Sequence, residues 1–219
     1  MISYQQVTKN NPHKQLTINF LNYFFTDPLL TNFSNLIFKQ ALSFFTLIVC
    51  CKAQLPLNTG LLNIPPNSYV KDLNNELNPY EGTYKANFQG NEISLYIIKE
   101  ENRLVDRINK KFYRDALNVK YIVKNSSGSI LQDTKNNTSS QIELYSIGIR
   151  SVDNSVILSY TGTNCGVGWG KVLVKKINAN QLSWDYQPND IIIDSNRCPA
   201  GTDINIYLPE TKDLIFTKQ

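Results

Sequence analysis

The chain has 219 residues, of which 42% are hydrophobic, and a formal net charge of +4. The segment before Gln54 holds four lysines against one aspartate, so without it the net charge falls from +4 to +1. An excess of positive charge is typical of proteins that bind nucleic acid or anionic membranes. Because the excess lies in this first segment, the composition supports neither partner.

Residues 36–53 have the pattern of a secretory signal peptide. A lysine precedes the uncharged run Leu42–Val49, and Cys51 and Ala53 place small side chains just before Gln54. A positive start, an apolar stretch of about 7–15 residues and small residues before the cut characterise such signals. A membrane-spanning helix needs roughly 20 apolar residues, and this run is shorter. We therefore predict cleavage between Ala53 and Gln54 and a secreted or periplasmic protein.

Residues 1–35 precede this signal, although signal peptides begin at the N-terminus. Two explanations stay open: translation starts nearer Leu36, or a real extension precedes an internal signal. A lipoprotein signal is disfavoured because Val49, which is not a small residue, precedes Cys50. N-terminal sequencing of the secreted protein distinguishes these alternatives.

Removal of residues 1–53 also removes His13, the only histidine of the chain. Without histidine there is no Ser-His-Asp or Cys-His nucleophile and no histidine-ligated zinc or haem. We therefore predict no cofactor, no metal and no enzymatic activity. Two cysteines remain, Cys165 and Cys198, and in an exported chain such a pair is predicted to form a disulfide. Two free buried thiols are the alternative.

The next segment, residues 54–80, is predicted to be an extended lead-in to the main domain. Several prolines lie in it among asparagine and glycine, as is typical of irregular structure. Within it, Val70–Leu77 is predicted to form one or two turns of helix, which Pro79 ends.

The remainder, residues 81–219, alternates apolar and polar residues with the period of half-buried strands. Tight turns separate the alternating runs, which favours an antiparallel meander. The predicted strands cover residues 82–88, 92–100, 116–124, 129–133, 142–150, 155–161, 171–177, 181–187, 203–208 and 213–218. A sheet with this many strands has to close or split to protect its edges. We predict an all-β fold, an up-and-down barrel of about eight to ten strands with one short N-terminal helix; a sandwich is the alternative.

Four separated motifs support one resemblance. They are the signal end Lys52–Gln54, the stretch Tyr69–Leu77, the strand start Gly82–Tyr84 and the segment Asn164–Gly170. In this order they resemble a family of secreted flavobacterial (Bacteroidetes) proteins of unknown function, over nearly all of residues 54–219. The resemblance implies export and a lipocalin-like barrel, but it implies no activity. Lipocalins usually carry tryptophan where this chain has tyrosine in the third motif, so that comparison supports the fold more than ligand binding.

The glycine run Gly166–Gly170 is a candidate nucleotide loop. It lacks the Gly-x-Gly-x-x-Gly spacing and is followed by a strand, whereas dinucleotide binding needs a helix N-terminus. We interpret it as a tight loop around Cys165.

Three aromatic residues, Trp169, Trp184 and Tyr186, are candidate contacts to a ligand or glycan. An exposed row of rings stacks on sugars, whereas rings two residues apart on a strand often face the core. Trp169 lies on a loop and is the best candidate for exposure.

Five cations crowd one segment and form a candidate anion patch: Arg103, Arg107, Lys110, Lys111 and Arg114. Such a cluster can receive a phosphate or an acidic glycan; the alternative is a solvated, mobile hairpin. Glu100, Glu101, Asp190 and Asp194 are candidate glycosidase carboxylates, although that chemistry needs two opposed groups at a defined distance.

The leading hypothesis is an exported, non-enzymatic barrel that binds a small apolar ligand or a partner protein. A carbohydrate-binding module is the first alternative and a carboxylate glycosidase the second. The small-ligand version depends on an open barrel interior.

Overall fold

In the computed structural model, residues 54–219 are described, except for 108, 138–140, 195 and 197. The predicted signal peptide and residues 1–35 lie outside the described residues. Short 3-10 helices occur at Leu61–Asn63, Asn78–Tyr80 and Asn164–Gly166. The strands are β1 (Gln54–Pro56), β2 (Tyr69–Lys71), β3 (Gly82–Phe88), β4 (Asn91–Arg107), β5 (Lys110–Lys124), β6 (Ile130–Asp133), β7 (Leu144–Arg150), β8 (Ser155–Tyr160), β9 (Gly170–Asn178), β10 (Gln181–Pro188) and β11 (Thr211–Lys218).

Eight of these strands form a closed antiparallel barrel. Strands β3, β4 and β5 pair in succession, and β7 to β11 do the same. Pairing of Thr217 with Lys85 joins β11 to β3, and pairing of Asn118 with Tyr145 joins β5 to β7. The barrel prediction is thereby confirmed, and the sandwich alternative is wrong. Closure satisfies the strand edges that an open sheet would leave unpaired.

Turn chemistry explains the hairpin between β3 and β4. Gln89 and Gly90 both have positive φ, 49° and 81°, which is the backbone of a two-residue turn whose twist matches the flanking strands. Glycine adopts this conformation without a steric penalty. The turn sets the register in which Phe88 pairs with Asn91.

Two predicted elements differ in the structure. The helix predicted at 70–77 is absent: β2 occupies its start, and the Asp72 carboxylate accepts hydrogen bonds from the backbone N–H groups of Glu76 (2.7 Å) and Leu77 (3.1 Å). These bonds stabilise a turn that competes with a helix. The strand predicted at 203–208 is irregular, because the Asp203 carboxylate binds backbone and side-chain donors within four residues of it.

Side chains fill the barrel interior. Trp184 is fully buried, 5.5 Å from the ring of Phe216 and 6.3 Å from that of Tyr186. Tyr186 lies 5.8 Å from Tyr160, which in turn lies 6.4 Å from Tyr121. These ring contacts, one tilted and three edge-to-face, span the barrel and belong to one core with the aliphatic residues of the other strands. The barrel centre is thus occupied by the protein's own aromatic rings, and the small-ligand hypothesis in the form that depends on an open barrel interior is wrong.

The lead-in packs against the barrel rather than standing free. Leu57, Ile64, Val70 and Leu77 are buried in the same core as the barrel residues. Strand β2 runs parallel to β5 and pairs Val70 with Arg114. This pairing places β2 along the edge of β5, in the part of the long β4–β5 hairpin that extends beyond the barrel.

The disulfide between Cys165 and Cys198 is present, which confirms that prediction. It connects the glycine loop before β9 to the irregular segment after β10. Such a bond is compatible with an oxidising compartment. In the part of the chain that the structure describes, no helix has the length and apolar character needed to cross a membrane.

Candidate functional site

A groove lies on the outer wall of the barrel, with a volume of about 1210 Å³. One side is the lead-in loop Leu57–Leu61, and the floor comes from outward-facing residues of β7 to β10. On the floor Ile157 pairs with Leu173, which pairs with Asp185 on the next strand. Because side chains alternate across a strand, these three project from the same outer face. The groove therefore has an apolar centre, with Ile149 beside it.

The groove rim is positively charged. Four cations line it, Arg107, Arg150, Lys171 and Lys212, against the single acid Asp185. Arg150 is neutralised by an ion pair with Asp153 outside the lining. The arrangement favours a ligand with an apolar body and negative charge.

Of the three aromatic candidates, only Trp169 lies at the surface. It is 46% exposed, lines the groove, and donates from Nε1 to the Asp190 carbonyl at 3.3 Å. Trp184 donates its indole N–H to the Pro209 carbonyl at 3.0 Å and belongs to the core. Tyr186 is 3% exposed and donates to the Gly168 carbonyl. These three rings do not form an exposed row, because alternation along β10 directs the latter two inward.

The five predicted anion-patch cations are separated in the structure. Arg103 pairs with Glu100 (2.7 Å) and Glu143 (3.0 Å) and stacks over the Tyr145 ring at 4.3 Å. Lys110 and Lys111 each have a partner: Lys110 donates to the Leu61 carbonyl at 3.1 Å, and Lys111 pairs with Asp106 at 2.7 Å. Only Arg107 and Arg114 line a common cavity.

Arg114 is 4% exposed, so the solvated-hairpin alternative is wrong for this part of the segment. Its Nη1 donates to the Ile147 carbonyl, while Nε and Nη2 have no partner among the described residues. Burial lowers the pKa of Arg114 to about 10; the charge of Arg107 acts in the same direction, and Tyr145 and Asp115 oppose it. At neutral pH Arg114 is therefore a buried cation.

The opposite face of the same hairpin carries a satisfied polar cluster. The Asp115 carboxylate accepts hydrogen bonds from the Tyr69 hydroxyl, from Asp72 N–H (2.9 Å) and from Asn102 N–H (3.0 Å). Burial raises the pKa of Asp115, but these bonds and the charge of Lys99 outweigh burial and hold it below its usual range. The cluster ties β2 and a bulge in β4 to β5, and we assign it a structural role.

The candidate glycosidase carboxylates have other partners or lie apart. Glu100 pairs with Arg103 and accepts from the Asn118 amide at 3.2 Å. Asp194 accepts from the N–H of Asn196 at 2.9 Å in an exposed loop. Among the described residues, no group of three or more histidine, cysteine or carboxylate side chains is placed to hold a metal ion.

Comparison with family models, with curated proteins and with solved structures finds no match to this chain. The resemblance to secreted flavobacterial proteins therefore stays a prediction from the four motifs.

Reasoning from the sequence missed the residues that make the groove and its neighbouring cavity. Thr59 and Leu61 come from a lead-in with no periodic pattern, and Ile147 owes its position to a bulge in β7. A signal was available for Arg107 and Arg114: extending the β4–β5 alternation places both on the face of Val105.

Proposed function

We propose that this protein is an exported, non-enzymatic binding protein that takes a small ligand with an apolar body in the outer-wall groove. The observation that carries the proposal is the groove itself: an apolar floor of Ile149, Ile157 and Leu173 beneath a basic rim. Ligand sites in proteins are typically concave, mostly apolar and fixed by a few polar groups.

Because side chains fill the barrel interior, we place the ligand on the outer wall and not at the barrel centre. A lipocalin-like protein of this kind would hold an apolar ligand at the barrel centre, where here Trp184 and Phe216 are packed. On the outer wall, the floor residues Ile149, Ile157 and Leu173 are only half-buried. The disulfide and the predicted signal peptide support action outside the cytoplasm.

Fluorescence of the neutral probe N-phenyl-1-naphthylamine tests the proposal on the purified full chain. We expect saturable enhancement in the native protein and a loss of at least about tenfold in affinity for Ile157→Glu, since a charge on the floor opposes burial of an apolar group. The matched control is Ile98→Glu, which places the same charge on an exposed position of β4 outside the groove.

Equal probe binding by the native chain and Ile157→Glu would remove the groove from the function. Absence of probe binding together with co-purification of a protein that Ile157→Glu fails to bind would favour the partner-protein version.

Carbohydrate binding is the second candidate, and Trp169 favours it. Its half-exposed ring lies at the groove beside the polar side chains of Gln187 and Asn189, and rings flanked by amides suit a sugar face. A glycan array decides between the candidates: binding that is lost in Trp169→Ala supports the carbohydrate function, and an array without signal removes it.

A further inference from the structure

A small second cavity adjoins the groove at the free end of the β4–β5 hairpin. Its volume is about 70 Å³, which is enough for a head group but not for a whole ligand. The lining residues are Thr59, Leu61, Ile64, Val105, Arg107, Phe112, Arg114 and Ile147. Two are arginines and none of them is acidic, so the cavity is a positively charged compartment with apolar walls.

Strand geometry explains why the two arginines meet there. Val105 pairs with Phe112 across the hairpin, and alternation then places Arg107 and Arg114 on the face that these two residues occupy. Lead-in residue Ile64 covers that face and is 1% exposed. The cavity thus forms where the lead-in closes over the end of the hairpin.

A bulge in β7 holds Arg114 in place. Ser146 pairs with Leu158 and Gly148 with Ile157, so Ile147 has no partner position on β8. Its carbonyl accepts the hydrogen bond from Arg114 Nη1 instead. Bulges recur beside binding sites because they redirect backbone groups in this way.

The two nitrogens of Arg114 that lack partners, Nε and Nη2, share one edge of the guanidinium. Their N–H groups point in the same direction, and this edge meets both oxygens of a carboxylate or phosphate in bidentate pairs. A buried donor without a partner is unfavourable, more so when it is charged. An oxyanion at this edge would satisfy both donors and neutralise the charge.

We infer that Arg114, assisted by Arg107, forms a pocket for an oxyanion, a carboxylate or a phosphate monoester, on the ligand of the outer-wall groove. The inference rests on the proposed function for the apolar body of that ligand. The two sites are adjacent, because the pocket and the groove share Thr59, Leu61, Arg107 and Ile147. The ligand class is therefore a small anionic amphiphile.

Calorimetric titration of the full chain with octanoate, octyl phosphate and neutral 1-octanol tests this inference. We expect the better anion to bind at least about tenfold more tightly than 1-octanol, because two charge-assisted hydrogen bonds form only with the anion. Arg114→Met should reduce the ratio of the affinity for the anion to that for 1-octanol to about one, and Arg107→Met should lower this ratio about threefold. The matched control Lys111→Met removes a cation that is paired with Asp106 outside the pocket lining, and should leave the ratio unchanged.

A second measurement separates binding from folding. The melting temperature of unliganded Arg114→Met should equal or exceed that of the native chain, because a buried charge without a counter-ion is removed. Arg114→Lys retains the charge but loses the parallel pair of N–H groups, so it should fold and still lose most of the preference for anions.

Acetate and inorganic phosphate probe the pocket without the groove. At ionic strength matched with chloride, at least one should raise the melting temperature of the native chain and not that of Arg114→Met. The inference is overturned if neither anion does so and octanoate, octyl phosphate and 1-octanol bind equally. A failure of the proposed function gives a different result. In that case 1-octanol does not bind, or Ile157→Glu does not change its binding, while acetate or phosphate still raises the melting temperature of the native chain and not that of Arg114→Met.

Discussion

Asp115→Asn tests the polar cluster that ties the lead-in to the barrel. The native carboxylate is 1% exposed and accepts three hydrogen bonds, two on Oδ1 and one, from Asp72 N–H, on Oδ2. An asparagine side chain can still accept the two hydrogen bonds on Oδ1, now as bonds to a neutral amide. Its Nδ2 group, however, takes the place of Oδ2 and presents an N–H to the N–H of Asp72. Hydrogen bonds to charged groups contribute roughly 1.5–3 kcal/mol and neutral ones about 1. With the easier burial of a neutral amide included, we expect a loss of about 3 kcal/mol in the free energy of unfolding.

The effect should depend on pH with a definite sign. The folded-state pKa of Asp115 is held below its usual range. Its charge therefore stabilises the folded state fully at pH values above the unfolded-state pKa of about 3.9, and this stabilisation is lost as the pH falls through the folded-state pKa. Urea unfolding of native and variant chains at several pH values measures this difference through tryptophan fluorescence. We expect a constant difference from pH 7 to about 5 that shrinks below about pH 4. A difference under about 1 kcal/mol at pH 7, or one that persists unchanged at low pH, would refute the reasoning.

Three further changes test the fold. Replacing Cys165 and Cys198 by serine should lower the free energy of unfolding by about 4 kcal/mol relative to the oxidised native chain, from the entropy of a loop with a separation of 33 residues. Denaturant titration measures this difference, and the reduced native chain should match the serine variant. Trp184→Ala should lower the free energy of unfolding by about 4 kcal/mol, because it leaves a cavity at the centre of a filled barrel. If thermal unfolding followed by circular dichroism shows a loss near zero, the interior is not packed as described. Gly162→Ala should lower the free energy of unfolding by at least about 2 kcal/mol, because the φ of Gly162 is +90° and a Cβ there would lie 2.5 Å from backbone atoms across the loop. The control Gly128→Ala, at φ +82° but with open space around the Cβ, should lower it by about half as much.

Local pattern was sufficient for most of the barrel. Alternation and turn residues predicted β3, β7, β8, β9 and β10 to within a few residues, because each strand presents one face to the core and one to solvent. Two cysteines in a chain predicted to be exported were sufficient to predict the disulfide.

Local pattern failed where partners distant in sequence decide the structure. Residues 70–77 have helical spacing, yet Val70 pairs with β5 and Asp72 supplies its carboxylate to a turn. The cations between Arg103 and Arg114 were predicted to form an anion patch or a solvated hairpin. Strands β4 and β5 instead continue through this stretch, and the lead-in covers one face of it.

The sequence by itself determined a succession of strands that closes into a barrel, since period-two burial and tight turns act between near neighbours. The sequence also contains the cluster of basic residues from which we predicted an anion-binding patch. Only the tertiary structure decided which of those cations is buried with nitrogens that lack a partner. Arg114 is buried beside Arg107 because a bulge 33 residues away supplies one carbonyl and the lead-in closes the cavity above it. Strand alternation places Arg114 on the face of Val105, but burial and the lack of a partner are properties of that assembly and do not follow from the local pattern.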